Sequence, residues 1–179
     1  MSQMKNHKNN YTRIIVFLAM MMALTIVLTR FVSIPIGSTY RIGIGRLPVF
    51  ASSIWFGPIS GLFVATGADI LGAVLTTGWN PVLTIPAALA GLLPGLLARI
   101  FRLRRREHER NWWICVRTVL CVVFSHVLTS GILMSFFLNY FYPSSLLLLL
   151  VIRTMIALGE GIVQGALLYL IETRVHHED

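Results

Sequence analysis

The chain has 179 residues, of which 56% are hydrophobic and 12% charged, and its mean hydropathy is +0.76. A soluble fold of this composition would leave large apolar patches in water, so we expect lipid to be its main solvent. The formal net charge of +8 would suggest nucleic acid as a partner of a soluble protein. Here the cations gather near the two termini and in the run Arg102–Arg110, which indicates membrane topology and no nucleic-acid partner.

Six apolar stretches predict an all-α integral membrane protein with six transmembrane helices. The first stretch is long enough to span and has no obvious small-residue cleavage site, so it is interpreted as a helix and not as a signal peptide. The second and third are short and flank Phe56–Gly61, where Gly-Pro predicts a broken hairpin. The single domain is expected at 13–172, between tails at 1–12 and 173–179. The predicted spans are 13–33, 43–56, 59–77, 82–101, 113–139 and 145–172.

The basic residues predict which ends of the helices face the cytoplasm. Lys and Arg are concentrated near the N-terminus and in Arg102–Arg110, and such residues mark cytoplasmic segments. With six spans the C-terminus is then also cytoplasmic. The connections 33–46, 76–81 and 139–145 are expected to face outward.

These outward connections carry arginines and aromatic residues that suit a flat, anionic ligand. Stacking on aromatic rings and pairing with arginine can each stabilise such a ligand in a dry pocket. The alternative is that the same side chains only anchor helix ends at the membrane interface. The candidate ligand-binding residues in or beside these connections are Tyr40, Arg41, Arg46, Trp79, Asn80 and Tyr140.

Four of the ionisable residues inside the predicted spans bear on function: Asp69, His126, Arg153 and Glu160. Asp69 in the third span is a candidate ligand contact, because a charge at that depth is costly, or a structural carboxylate bonded to Arg46, Arg153 or a backbone group. Arg153, a further candidate ligand contact, and Glu160 are seven residues apart and share a helical face. For Glu160 we favour burial against another helix, with His126 or a hydroxyl as its partner, over a ligand role. For His126 we favour a packing role over metal binding.

Several patterns bear on partners and chemistry. Ala19 and Ala23 form a small-xxx-small pair that lets a partner helix approach closely, although internal packing would also explain it. No nucleotide-binding or catalytic motif occurs, and the two cysteines give no metal-ligand spacing. The sequence therefore predicts neither an enzyme nor a cofactor or metal site. A membrane enzyme using Asp69, His126 or Glu160 is disfavoured, because these residues lie on separate spans without a catalytic spacing.

The succession LTRFVSIPIGSTYRIGIGRLPVF, FGPISGLFVATGADILGAVL and GWNPVLTIPAALAGLLPGLL resembles the substrate-binding S component of energy-coupling factor (ECF) vitamin transporters. The likeness runs from about Ala19 to Leu97 and is greatest to the folate-type members. It implies a six-helix protein that captures a vitamin from outside and associates with a coupling membrane subunit and two cytoplasmic ATPases. The family's AxxxA docking signature falls on Ala19 and Ala23.

The resemblance implies location in the cell membrane of a prokaryote and favours folate as the ligand. Trp79-Asn80-Pro81 stands where folate-type members usually have a Phe-Pro-Gly-Phe-like segment, and the fifth span lacks their Thr-x-Trp-Leu stretch. Cobalamin, pantothenate, a queuosine precursor or another vitamin therefore stays open as the ligand. The rival from another class is a small membrane assembly protein that binds no ligand.

Overall fold

The computed structural model describes residues 2–36, 40–76, 81–101, 111–141 and 146–175. Seven α-helices and one short hairpin make up the described chain. The described chain also has two π-helical turns. The first extends the first helix, and the second connects the fifth and sixth helices without a break. In order these elements are α1 (Ser2–Val27), a π-helical turn (Leu28–Val32), β1 (Ile34–Ile36), β2 (Tyr40–Ile42), α2 (Leu47–Phe56), α3 (Pro58–Thr76), α4 (Pro81–Ile100), α5 (Asn111–His126), a second π-helical turn (Val127–Leu133), α6 (Met134–Phe141) and α7 (Leu146–Val175).

The bundle is apolar outside and partly polar inside. Large hydrophobic side chains such as Ile15, Phe63, Leu120 and Leu147 are exposed on its surface, whereas serines, threonines, a histidine and a glutamine are fully buried. Five helical stretches of the described chain are long and apolar enough to cross a membrane: Thr12–Val32, Pro58–Leu75, Pro81–Ile100, Cys115–Tyr140 and Leu149–Ile171. The predicted all-helical membrane fold is confirmed.

The second predicted span is shorter than the sequence suggested. Helix α2 has 10 residues, which rise about 15 Å, roughly half of a 30 Å hydrocarbon core. Gly57, with φ at +105°, ends this helix, and Pro58 begins α3, so the predicted break between them is confirmed. Residues 43–46, expected to be helical, instead belong to the irregular segment before α2.

Two differences concern the ends of α1. This helix begins at Ser2, ahead of the predicted start at residue 13, because polar residues can extend a helix that is already formed. After it, residues expected to form a loop pair as an antiparallel hairpin, with Ile34 opposite Ile42 and Ile36 opposite Tyr40. Isoleucine at alternate positions suits such a ladder.

Helices α2, α3 and α4 pack closely through small residues. Gly61 of α3 lies against the backbone of Gly91 in α4, with no room for a Cβ atom on either residue. The Ser53 hydroxyl of α2 donates to the Gly91 carbonyl (2.5 Å) and accepts from the Gly95 N–H (2.8 Å). It thus joins two backbone groups that are four residues apart in α4 and would otherwise pair with each other. In lipid, such close packing and buried hydrogen bonds are what hold helices together.

We expect Gly61→Ala to destabilise the protein, because its Cβ atom would overlap the Gly91 carbonyl. Overpacking of this kind typically lowers the free energy of unfolding by about 1–3 kcal/mol. Thermal unfolding of the purified protein in detergent measures the effect. The matched control is Gly159→Ala on α7, where an added Cβ meets nothing within 4 Å. Equal melting temperatures for the two variants would contradict the close contact.

The other side of the bundle is formed by α5 and α7. Gly161 and Gly165, one helical turn apart on α7, lie against Val123 and Val119 of α5, and Gly131 of the second π-helical turn lies against Thr154. This small-xxx-small face brings α7 near the other helices. Arg153 and Glu160 also lie on α7, and both are partly buried.

Candidate functional site

A cavity of about 430 Å³ lies within the bundle. Residues of α1 to α4, both π-helical turns, the segment before α2, the start of α6 and α7 all contribute to it. Its volume falls in the range of small-molecule sites, roughly 300–1,000 Å³. The lining residues are Thr25, Thr29, Arg30, Ser33, Gly43, Gly45, Arg46, Val49, Ala65, Ala68, Asp69, Ala87, Ala90, Ser130, Met134, Arg153 and Glu160.

The side of the cavity formed by α3 and α4 is lined mainly by alanine. Ala65 and Ala68 come from α3, and Ala87 and Ala90 from α4. Because α3 and α4 meet through glycines, their backbones are close, and the short alanine side chains leave space on the cavity side. A wall of methyl groups suits an apolar or ring-shaped part of a ligand.

Both π-helical turns border the cavity. The first contributes Thr29 and Arg30, and the second contributes Ser130. Such turns occur frequently at functional sites. Arg30 was not among the ligand-binding residues predicted from the sequence, whereas in the structure it lines the cavity. No pattern in the sequence predicts the π-helical turn that carries it.

Three arginines and two carboxylates line the cavity: Arg30, Arg46, Arg153, Asp69 and Glu160. Arg46 immediately precedes α2, and its charge is attracted by Glu160 and Asp69 and repelled by Arg153. Its Nη1 atom is buried and has no hydrogen-bond partner among the described residues. Since buried donors are normally paired, this atom is suited to receive an oxygen of a bound ligand.

The two carboxylates are already engaged by the protein. Asp69 Oδ2 accepts a hydrogen bond from the Thr84 hydroxyl at 2.8 Å. Glu160 Oε1 accepts from the Gly43 backbone N–H at 2.7 Å, and Glu160 Oε2 lies 2.8 Å from Nε2 of His126. Of the two partners expected for Glu160, His126 or a hydroxyl, the structure shows His126. Arg153 and Glu160 share a helical face, as their spacing along α7 predicted, and both of them line the cavity.

The predicted ligand-binding residues fall into two groups. Arg46, Asp69 and Arg153 come together in the cavity. Tyr140, at the end of α6, is 82% exposed and does not line it. The backbones of Tyr40 and Arg41 lie in β2, but their side chains, like Trp79 and Asn80, are outside the described residues.

The docking pair predicted on α1 lies on the outer surface. Ala19 and Ala23 are both exposed, whereas Leu18, Met21 and Met22 of the same helix pack against the core residues Val49, Val64 and Ala65. One face of α1 thus holds the helix to the bundle and leaves the alanine face open. Among the described residues, no group of three or more His, Cys, Asp or Glu side chains could hold a metal ion.

The fold and the site define a multi-pass helical membrane protein that encloses an arginine-lined cavity. A family model described as "ECF-type riboflavin transporter, S component" matches residues 9–174. The chain therefore belongs to the family of ECF transporter S components, and the resemblance seen in its sequence is confirmed. The members of this family are components of transporters and not enzymes.

Comparison with individual proteins agrees with this family. "Folate transporter FolT" of Clostridium novyi (strain NT) is 34% identical over 87 residues, which are 46% of this chain and 49% of that protein. The chain thus spans about half the length of the curated relative it matches.

Solved S components share the fold. A structure described as the S-component for biotin from an ECF-type ABC transporter has a TM-score of 0.72 at 18% identity, covering 94% of this chain and 93% of that one. FolT bound with folic acid has a TM-score of 0.67 at 22% identity, covering 87% and 93%. At these identities the likeness concerns the fold alone.

Proposed function

We propose that this chain is the ligand-capturing subunit of an ECF importer for an anionic, ring-containing vitamin, with folate favoured. The observation that carries the proposal is the balance of charge in the cavity. Three arginines face two carboxylates, and both carboxylates accept hydrogen bonds from protein groups. A ligand carboxylate on the buried Nη1 of Arg46 supplies the missing acceptor.

Cavity size and chemistry rank the possible ligands. Folate carries two carboxylates and a flat ring system, so its anionic end suits the arginines and its ring suits the alanine wall. Biotin carries one carboxylate and pantothenate lacks a ring. Riboflavin has no ionised group at neutral pH, and cobalamin is too large for about 430 Å³. The similarity to a folate transporter points the same way.

The outer connections add to the proposed site. Tyr40, Arg41, Trp79 and Asn80 stay proposed ligand contacts, because their aromatic rings and polar groups suit a stacked ring and a second carboxylate. Tyr140 is less suited to this role because it does not line the cavity. We place the protein in the cytoplasmic membrane of a prokaryote, with both termini inside and its cavity loaded from outside.

The partners in this proposal are a coupling membrane subunit and two cytoplasmic ATPases. The exposed alanine face of α1 is the docking surface for the coupling subunit. ATP hydrolysis by the ATPases then drives release of the vitamin inward. In a membrane assembly protein without a ligand, the buried Nη1 of Arg46 would be left without an acceptor among the residues that the structure describes.

Calorimetric titration of the purified protein in detergent tests the proposed ligand. We expect folic acid to bind saturably and more tightly than biotin or pantothenate, and riboflavin to bind weakly or not at all. Tight binding of riboflavin alone would contradict the argument from charge. The absence of binding by any vitamin, with the protein folded and monodisperse, would favour the assembly protein.

A further inference from the structure

Two side chains of α7 hold Gly43, in the irregular segment before α2. The Gly43 N–H donates to Glu160 Oε1 at 2.7 Å, and the Gly43 carbonyl accepts from Gln164 Nε2 at 2.9 Å. Glu160 and Gln164 are one turn apart, near the middle of the 30-residue helix α7. Non-helical backbone at membrane depth needs protein partners for its polar groups. The side chains of Glu160 and Gln164 are the partners of the Gly43 N–H and carbonyl.

Glu160 is itself fixed by a buried histidine. Its second carboxylate oxygen lies 2.8 Å from His126 Nε2, and His126 is 1% exposed. The imidazole ring packs edge-on against Phe50 of α2, with 5.7 Å between ring centroids. Because each carboxylate oxygen meets a different protein group, the carboxylate has a defined orientation.

The fixed point at Gly43 determines where Arg46 lies. Between them, Gly45 packs against Thr29 of the first π-helical turn without room for a Cβ atom. The Leu47 N–H donates to the Ile44 carbonyl, and the Phe50 N–H to the Arg46 carbonyl, both at 3.1 Å. Gly43, which Glu160 holds, is therefore connected to Arg46 by only a short turn. Glu160 also attracts the charge of Arg46 directly.

We propose that Glu160 is a positioning residue of the ligand site: it does not contact the ligand but places Arg46 to receive an anionic group. This inference rests on the proposed function, because it assumes that Arg46 binds a ligand carboxylate. For the affinity of a variant without Glu160, the proposal predicts the opposite of what charge alone would predict. Removing a negative charge from the cavity wall should favour an anion, whereas loss of a positioning residue should weaken its binding.

A double-mutant cycle tests the proposal with folic acid as the probe. The wild type, Glu160→Ala, Arg46→Met and the double variant are titrated calorimetrically. We expect Glu160→Ala to weaken binding about tenfold or more, and to add less than about threefold to the loss in Arg46→Met, since coupled residues are non-additive. Losses that multiply would overturn the proposal, because Glu160 would then act independently of Arg46. Unchanged or tighter binding by Glu160→Ala would overturn it as well.

Two further variants separate the hydrogen bond from the charge. Glu160→Gln retains a carbonyl oxygen for the Gly43 N–H, and we expect it to bind folic acid more tightly than Glu160→Ala. Equal affinity of these two variants would overturn the proposal. Gln164→Met removes the other bond to Gly43 without changing charge, and we expect a loss of about two- to tenfold, the value of one hydrogen bond. An unchanged affinity of Gln164→Met would contradict the role of the Gly43 attachment.

The same experiment distinguishes failure of this inference from failure of the proposed function. If the wild type binds none of the vitamins, both are overturned. If it binds folic acid but the losses at Glu160 and Arg46 multiply, only the positioning role is lost. Should Glu160→Ala fail to fold, a cycle between Gln164→Met and Arg46→Met tests the same coupling, with additive losses again overturning it.

Discussion

Replacement of Arg46 by methionine is expected to weaken folic acid binding on the order of 100-fold. Methionine keeps a long, flexible stem but removes the buried Nη1 donor that has no partner among the described residues. Truncating one partner of a buried, hydrogen-bonded charge pair costs roughly 2–5 kcal/mol, and about 1.4 kcal/mol corresponds to a tenfold change in affinity. Calorimetry in detergent measures the change.

The matched control for this substitution is Arg13→Met. Arg13 is exposed on α1 and does not line the cavity, so the same change of side chain should leave folic acid binding unaltered. A folded Arg46→Met protein that binds folic acid like the wild type would remove Arg46 from the ligand site. Loss of binding in both variants would point to a general effect of lost charge.

Replacement of Ala19 or Ala23 by leucine is expected to abolish vitamin uptake while leaving ligand binding intact. Both alanines are exposed on α1, whereas Leu18, Met21 and Met22 of the same helix pack against the core. A larger side chain there keeps a partner helix from approaching closely, but it does not reach the cavity. Uptake by cells that contain the complete transporter, together with calorimetry on the purified variant, separates the two effects.

Ala157→Leu on α7 provides a contrast for the docking experiment. Ala157 is buried within the bundle, so leucine there should lower the thermal stability and the ligand binding of the isolated protein. Leucine at position 19 or 23 should not. Normal uptake by both of the α1 variants would show that their face is not the docking surface.

Local features of the sequence predicted part of the fold, and contacts between residues far apart in the chain decided the rest. The apolar stretches and the Gly-Pro break are local features, and they predicted the helices and the junction between α2 and α3. The late start of α2 depends on how distant parts of the chain hold the segment before it. Gly43, for example, is held by side chains 117 and 121 residues away.

The residues of the candidate site likewise divide into those that could be predicted from the sequence and those that could not. Arg46, Asp69 and Arg153 could be selected from the sequence, because charged residues in so apolar a chain are conspicuous and costly in lipid. Arg30 could not, because its access to the cavity depends on a π-helical turn. The attachment of Gly43 to Glu160 and Gln164 could not be predicted either. Every residue except proline has a backbone N–H, and the sequence does not show which of them meets a side chain.

The sequence by itself determined that the protein lies in a membrane, which segments form its helices and which charged groups it keeps there. These follow from the free energy of moving each side chain between water and lipid, a property of residues and short segments. Only the tertiary structure decided which charges meet, which oxygens are already bonded and which nitrogen of Arg46 has no partner among the described residues. Those depend on how α1, α3, α4 and α7 pack around the segment before α2, and packing joins residues that are far apart in the chain.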